Sequence, residues 1–336
     1  MVSEDQLVER VRRLFLSRSV RGLHGARLKN AGLSVGIGDD AAVLRQGAGA
    51  EWVVTTDAFL ENVHFLRNVH PPKAVGYKAL ARATSDIAAM GARARYFFLT
   101  LGLPDACAGA WLDDCLGGMR RAARRFGLTL AGGDTTKYPE VVITLTVVGD
   151  IDRGKAILRS GARPGDMLCV TGRLGEAELG LQLIQRKLYE QKSWTKLLTK
   201  HYYPEPRLVV GEWLAARQFA TSMIDTSDGL STDLGRVCKA SEVGATVWAP
   251  KIPMVRIPAE LQGLGLASLE LALNGGEDYE LLFTVPQKLA AKLPHAMGGI
   301  PISIIGEITR AKKVLVVDED GQSKPLRPKG WDPFRY

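Results

Sequence analysis

The 336-residue chain reads as an α/β protein of two domains. Three observations predict this. Segments with strand and helix periodicity alternate loosely in both halves. The length suits two domains of usual size. Turn signals crowd the middle of the chain: Gly149-Asp150, Arg153-Gly154 and Ser160-Gly161-Ala162-Arg163-Pro164-Gly165-Asp166. A boundary there gives domains over residues 1–150 and 151–336.

Leu7, Val11 and Leu14 share one face, and Ser3 and Gln6 have capping-box spacing, so a helix is expected over 3–16. Residues 17–34 are basic, contain glycine and read as an exposed loop. Trp52-Val53-Val54-Thr55-Thr56-Asp57 is a strand ending in an acid. Pro71-Pro72 opens a helix that Gly91 closes, because proline is tolerated in a first turn and glycine beyond a last one. That helix is rich in small residues and carries Lys78, Ser85 and Asp86. It is expected to be central and buried, and a buried acid must be paired or metal-bound. A strand over 96–101, an amphipathic helix over 107–126, a short strand over 128–131 and a β-branched strand over 141–148 follow. The short strand runs into Gly132-Gly133-Asp134-Thr135-Thr136.

In the second half, strands are expected at 167–171, 222–225, 244–248, 280–285, 302–308 and 313–318. Helices are expected over 174–187, within 188–203, from Pro204 to about 219, up to 240 and over 266–273.

Composition narrows the class. The charged fraction, 24%, is that of a folded soluble protein, and no apolar run approaches the ~18–20 residues of a membrane span. Met1-Val2-Ser3-Glu4-Asp5-Gln6 is polar and lacks a basic-then-apolar leader pattern, so a cytoplasmic protein is expected. Cys107, Cys115, Cys169 and Cys238 form no Cys-x-x-Cys and have no histidine at zinc spacing; free thiols are expected. The net charge of +8 suits anionic small substrates. The run Arg120-Arg121-Ala122-Ala123-Arg124-Arg125 lies on the polar face of a helix and has no accompanying nucleic-acid motif.

The chemistry concentrates at junctions. Gly36-Ile37-Gly38-Asp39-Asp40 sets two carboxylates behind two glycines, directly before an apolar strand. Such acids raise each other's pKa and are costly to desolvate, so a cation is the reason to keep both. Asp57, Asp86, Asp134, Asp225, Asp228, Glu277 and Asp278 stand in similar places, with hydroxyls at Thr55, Thr56, Thr135, Thr136, Thr226 and Ser227. Oxygen-only ligands select magnesium, calcium or manganese over zinc or iron. So many acids point to several ions on a polyphosphate, because bound metals reverse the repulsion. Gly36-x-Gly38 lacks the third glycine of a dinucleotide fingerprint, and neither a P-loop nor the protein-kinase motif set occurs. Taken singly the motifs are weak: Asp134 reads equally as a turn residue, and His64 as a satisfied histidine.

As a set they resemble the thiamine-monophosphate kinase family, within the aminoimidazole-ribonucleotide synthetase-like ATP-binding superfamily. The resemblance runs through Gly36–Ala41, Thr55-Thr56-Asp57, Asn62-Val63-His64-Phe65, Tyr77-Lys78-Ala79-Leu80 and Ser85-Asp86-Ile87-Ala88-Ala89-Met90-Gly91-Ala92. It continues through Gly132-Gly133-Asp134-Thr135-Thr136, Arg159–Asp166, Ile224-Asp225-Thr226-Ser227-Asp228-Gly229-Leu230, Gly275-Gly276-Glu277-Asp278-Tyr279 and Lys329-Gly330-Trp331-Asp332-Pro333-Phe334. One departure is Ala83-Thr84-Ser85-Asp86, where the family often carries Asn-Leu-Ser-Asp.

The resemblance implies ATP-dependent phosphorylation of thiamine monophosphate to thiamine diphosphate by direct in-line transfer assisted by several Mg2+ ions. It implies a synthetase-like kinase fold whose N-terminal mixed sheets join into a barrel in a homodimer, with a C-terminal α/β domain. It implies metal ligands at Asp40, Thr55, Thr56, Asp57, Asp86, Asp134, Asp225 and Asp228. Gly133, Asp134, Arg159 and Ser227 would contact ATP, and His64, Glu277 and Trp331 the thiamine phosphate. Asp39 would shape the turn. Other readings are a different ATP-using synthetase of the superfamily, or a non-catalytic nucleotide sensor.

Overall fold

Two β-sheets, one from each half of the chain, organise the protein. The structure, a computed structural model, describes Gln6, Val8, Glu9, residues 32–45, 47 and 49–334. Gln6, Val8 and Glu9 are helical; the rest of the helix expected over 3–16, and the segment 17–31, lie outside the described residues.

The first sheet contains β1 (Leu33–Val35), β2 (Ala42–Arg45), β3 (Ala50–Leu60), β4 (Arg93–Leu103), β5 (Thr129–Lys137) and β6 (Val142–Asp152). Their order is β1-β2-β3-β6-β4-β5. The β4–β5 pair is parallel and β2–β3, β3–β6 and β4–β6 are antiparallel, so the sheet is mixed. Side chains alternate along β4 and β6. Phe97, Leu99, Leu101, Ile143, Leu145 and Val147 are buried, whereas Tyr96, Phe98 and Leu130 of β5 are exposed. One face therefore meets the core and the other does not.

The core face is covered by α1 (Pro72–Ala89) and α2 (Ala110–Phe126). Proline opens α1. Gly91 ends it at φ +72, where a Cβ would also lie 2.5 Å from the Ala215 methyl. Glycine lets the two helices approach closely: a Cβ on Gly76 of α1 or Gly118 of α2 would fall 1.9 Å from the carbonyl oxygen of Cys115 or Lys73, respectively.

The second sheet contains β7 (Asp166–Thr171), β8 (Ser222–Asp225), β9 (Gly244–Trp248), β10 (Leu281–Pro286), β11 (Ala296–Met297), β12 (Ile300–Thr309), β13 (Val314–Val317) and β14 (Ser323–Pro325). Its order is β14-β13-β9-β12-β7-β10-β8, with β11 paired to β12. Its helices are α3 (Glu176–Gln185), α4 (Thr195–Tyr202), α5 (Leu208–Arg217), α6 (Leu230–Ser241), α7 (Ser268–Asn274) and the short α8 (Gln287–Ala290). The mixed α/β class expected from the sequence is the class observed.

Three local expectations are corrected. β3 runs through Asp57 to Leu60 rather than ending at the acid, because its pairing with β6 continues to Val142. Leu33 and Ser34 belong to β1, paired with β2, rather than to a loop reaching 34. Gly132-Gly133-Asp134-Thr135-Thr136 lie inside β5 rather than beyond its end. Glycine there serves a close backbone approach, since a Cβ on Gly133 would sit 1.8 Å from the Leu99 carbonyl oxygen.

A charge knot ties β10 to its neighbours. Glu280 is fully buried; it accepts from Thr171 Oγ1 at 2.7 Å, Lys200 Nζ at 2.7 Å and Arg207 Nε at 2.5 Å. Burial alone would raise its pKa; the lysine and arginine hold it down at about 2. Glu280→Ala leaves two cations in the interior without their anion. It is expected to lower the unfolding free energy by about 3–5 kcal/mol, read from urea denaturation.

Candidate functional site

The central helix α1 sets three charged side chains at successive turns: Lys78, Arg82 and Asp86. Residues four apart lie on one face, so this stripe spans about 12 Å along an otherwise apolar, alanine-rich helix. Its Lys78 is buried behind the wall of a cavity between the two sheets; its Arg82 and Asp86 line that cavity, of about 1840 Å3. That is more room than one small ligand needs.

At the Asp86 end three acids converge. Asp40 comes from the turn before β2, Asp86 from α1 and Asp225 from the end of β8. One carboxylate oxygen from each lies within 4.8 Å of the other two. Asp86 Oδ2 accepts from Thr55 Oγ1 at 2.5 Å, and Asp225 Oδ2 from Ser85 Oγ at 2.6 Å. Asp40 Oδ1 accepts from Arg159 Nη2 at 2.7 Å, whereas its buried Oδ2 has no hydrogen-bond partner among the described residues. Burial, then the neighbouring carboxylates, push Asp86 well up and Asp225 to about 7. An orphaned buried oxygen beside two carboxylates that are hard to ionise fits a divalent cation held by oxygen ligands.

Asp39 does something different from Asp40. Its carboxylate accepts the Asp40 N–H at 3.2 Å and the Arg159 N–H at 3.1 Å, closing the turn and tying it to the Arg159 segment. Burial and then Asp40 raise it to about 7.

Asp57 and Asp228, also along the cavity, are each held by an arginine. Arg82 makes a two-pronged contact to Asp57 at 2.9 and 3.1 Å, with its guanidinium over the Phe59 ring. Arg236 bonds both Asp228 and the fully buried Asp233. Thr56 is exposed, and its hydroxyl accepts from Thr146. The Ser227 carbonyl oxygen accepts the Glu277 N–H at 2.8 Å.

At the Lys78 end, the Nζ of this fully buried lysine lies 2.7 Å from Glu277 Oε2, with His201 3.4 Å away and His70 behind it. Burial would raise Glu277; the Lys78 ammonium first, and Arg82 beside it, outweigh burial and hold the carboxylate at about 2. His64 lines the same region. Its Nδ1 accepts the Leu60 N–H at 3.0 Å, which leaves Nε2 to carry the proton of the neutral ring. Burial and then Arg82 lower its pKa to about 4, so it is a neutral donor at physiological pH. Trp331 also lines the cavity, its N–H on the Asp228 carbonyl at 3.1 Å.

The structure thus gathers Asp40, Thr55, Thr56, Asp57, His64, Asp86, Arg159, Asp225, Ser227, Asp228, Glu277 and Trp331 around one cavity. It does not bring Gly133 and Asp134 there. Both lie on the exposed edge strand β5, three strand positions or about 14 Å from β3. Reading the sequence alone passed over Arg82 and Arg236, and gave Lys78 no role. The available signal was the i, i+4, i+8 charge stripe on a helix too small-residued to be solvent-facing.

Two family descriptions match: AIR synthase related protein, N-terminal domain, over residues 38–151, and its C-terminal domain over residues 163–319. The thiamine-monophosphate kinase of Escherichia coli K12 is 38% identical over 314 residues, 92% of this chain and 95% of its own length. The chain belongs to the thiamine-monophosphate kinase family. The Bacillus subtilis 168 member is 34% identical over 315 residues, covering 92% of this chain and 96% of its own. Among solved members, AaThiL complexed with AMPPCP and TMP superposes with a TM-score of 0.83 at 28% identity, covering 98% of this chain and 96% of that one.

The carboxylate cluster makes a prediction that separates catalysis from folding. Asp225→Asn keeps an oxygen for Ser85 but removes one of three crowded charges. The metal-free variant is expected to melt no lower than the parent, and about 2 °C or more higher. Stabilisation by added Mg2+, measured by the same thermal scan, is expected to be lost.

Proposed function

We propose that the chain transfers the γ-phosphoryl group of ATP to thiamine monophosphate, giving thiamine diphosphate and ADP. The observation that carries this is the two-ended cavity: clustered carboxylates at one end of α1, and a fixed anionic carboxylate with a neutral histidine donor at the other. The proposed metal ligands are Asp40, Asp86 and Asp225, joined by Thr55, Thr56, Asp57 and Asp228. Mg2+ bound there neutralises charge between two anionic phosphates, the main obstacle to this transfer.

The chain's own residues do the rest. Arg82, Arg159 and Arg236 each hold an acid along the cavity and are its counter-charges for phosphate oxygens. Asp39 keeps Arg159 aligned through its backbone N–H. Ser227 is placed for the nucleotide. His64 donates from Nε2, Glu277 accepts, and Trp331 offers a face for the aromatic ring of the acceptor, a contact contributing on the order of 0.5–2 kcal/mol if that ring is cationic. The acceptor is already a phosphate anion, so no general base and no phosphoenzyme are needed.

Gly133 and Asp134 complete the nucleotide site from a second subunit in this reading. Among the described residues no strand pairs with the outer edge of β5, and the face it shares with Tyr96 and Phe98 is exposed. Two such sheets meeting in a homodimer would cover that face and bring one subunit's β5 toward the other's carboxylate cluster. The protein would act as a cytoplasmic homodimer.

Thiamine monophosphate is expected to stimulate ADP release in the presence of Mg2+, with thiamine diphosphate as product and no stimulation by formylglycinamidine ribonucleotide. ATP binding without turnover on any acceptor would favour the sensor reading. Subunit sharing is tested by mixing two inactive variants, Asp134→Asn and Asp225→Asn. Random re-pairing makes half the dimers mixed, each with one intact site, so roughly a quarter of parent activity returns; no recovery means that Asp134 acts within its own chain or not at all.

A further inference from the structure

Lys78 is a fully buried cation with no part in the phosphate chemistry above, standing in a helix made mostly of alanine and other small residues. It belongs to α1 of the first domain, yet its 2.7 Å contact is to Glu277 in the loop between α7 and β10 of the second. We propose that Lys78 is a positioning residue: it reaches across the two domains to hold the Glu277 carboxylate in place for the ring-bearing end of the acceptor. This rests on the reading that Glu277 contacts that acceptor.

The loop needs such a restraint. Glu277 and Tyr279 both take positive φ, +65° and +50°, conformations that side chains other than glycine adopt at a cost. The loop's other acids are anchored within the second domain. Asp278 accepts the Gly175 N–H at 2.5 Å and the Ala177 N–H at 3.0 Å at the start of α3. Glu280 is held by Lys200 and Arg207. Glu277 alone turns to the first domain.

Its surroundings explain why a cation must meet it there. Glu178 of α3, bonded by Gln182 at 2.7 Å, lies close enough to repel Glu277, and its stem presses on Gly275, where a Cβ would come 2.4 Å from the Glu178 Cβ. Without Lys78, two carboxylates would face one cavity wall beside the neutral His201. Glu277 would then take up a proton or leave its place, and the ring of the acceptor would lose a fixed anionic partner. The two-domain contact and the acceptor contact are therefore one and the same carboxylate.

Steady-state kinetics on the full-length enzyme test this. Lys78→Met is expected to raise KM for thiamine monophosphate about tenfold or more while leaving KM for ATP within about twofold. Lys78→Arg, which keeps the charge, is expected to recover part of that loss. Because Lys78 acts through Glu277, Lys78→Met combined with Glu277→Gln should show a KM no higher than Glu277→Gln alone. That double variant leaves no unpaired charge and serves if Lys78→Met alone fails to fold. A lower melting temperature with unchanged KM, or effects that multiply in the double variant, would overturn the assignment. A parent protein with no thiamine-monophosphate-dependent turnover would instead remove the reading beneath it.

Discussion

Three carboxylates held within 4.8 Å of one another at the junction of two domains are the constraint on which the rest of the site depends. Each comes from a different element: a turn, a helix and a strand end. Like charges at that spacing oppose folding unless they are protonated, paired or metal-bound. Here Arg159 meets only one of the three, and hydroxyls rather than cations meet the other two. The fold accepts a locally unfavourable arrangement and surrounds it with rigid parts. Helix α1 packs through close backbone contacts at Gly76 and Gly91, and β8 is hydrogen-bonded at the edge of the second sheet.

Helix α1 also sets the scale of the site. Its rise places Asp86, Arg82 and Lys78 at roughly 6 Å intervals, so one rigid rod would carry the proposed cation ligand, the proposed phosphate-facing guanidinium and the proposed support of the acceptor contact. Each residue of the rod meets a partner off the helix: Asp86 meets Thr55 and Arg82 meets Asp57, both of β3, and Lys78 meets Glu277. Glu277 belongs to the second domain, as does Asp225, which Ser85 of the same helix meets. The helix therefore reaches the second domain with side chains that stand next to those lining the cavity.

Much of the fold could be read in the sequence because its signals are local. Pro71-Pro72 and Gly91 bracket α1, and the β-branched run after Val141 marks β6. The acids at strand ends were visible for the same reason. Their partners were not. That Arg82 meets Asp57, Arg236 meets Asp228, and Lys78 meets Glu277 are facts of tertiary packing across 25, 8 and 199 positions of sequence, respectively. Gly132-Gly133-Asp134 has the composition of a turn, and only the neighbouring Leu99 carbonyl shows why glycine sits inside a strand. The same residues lie on an edge remote from the cavity within one chain, a distance that no local pattern encodes.

The central claim is that the Asp40–Asp86–Asp225 cluster is a divalent-cation site. An anomalous difference map from crystals grown with Mn2+ and a non-hydrolysable ATP analogue tests it most directly. The account predicts a peak about 2.0–2.3 Å from a carboxylate oxygen of each of the three residues. Nucleotide bound in the cavity with no peak at this cluster, the three acids remaining as they stand in the free protein, would contradict it.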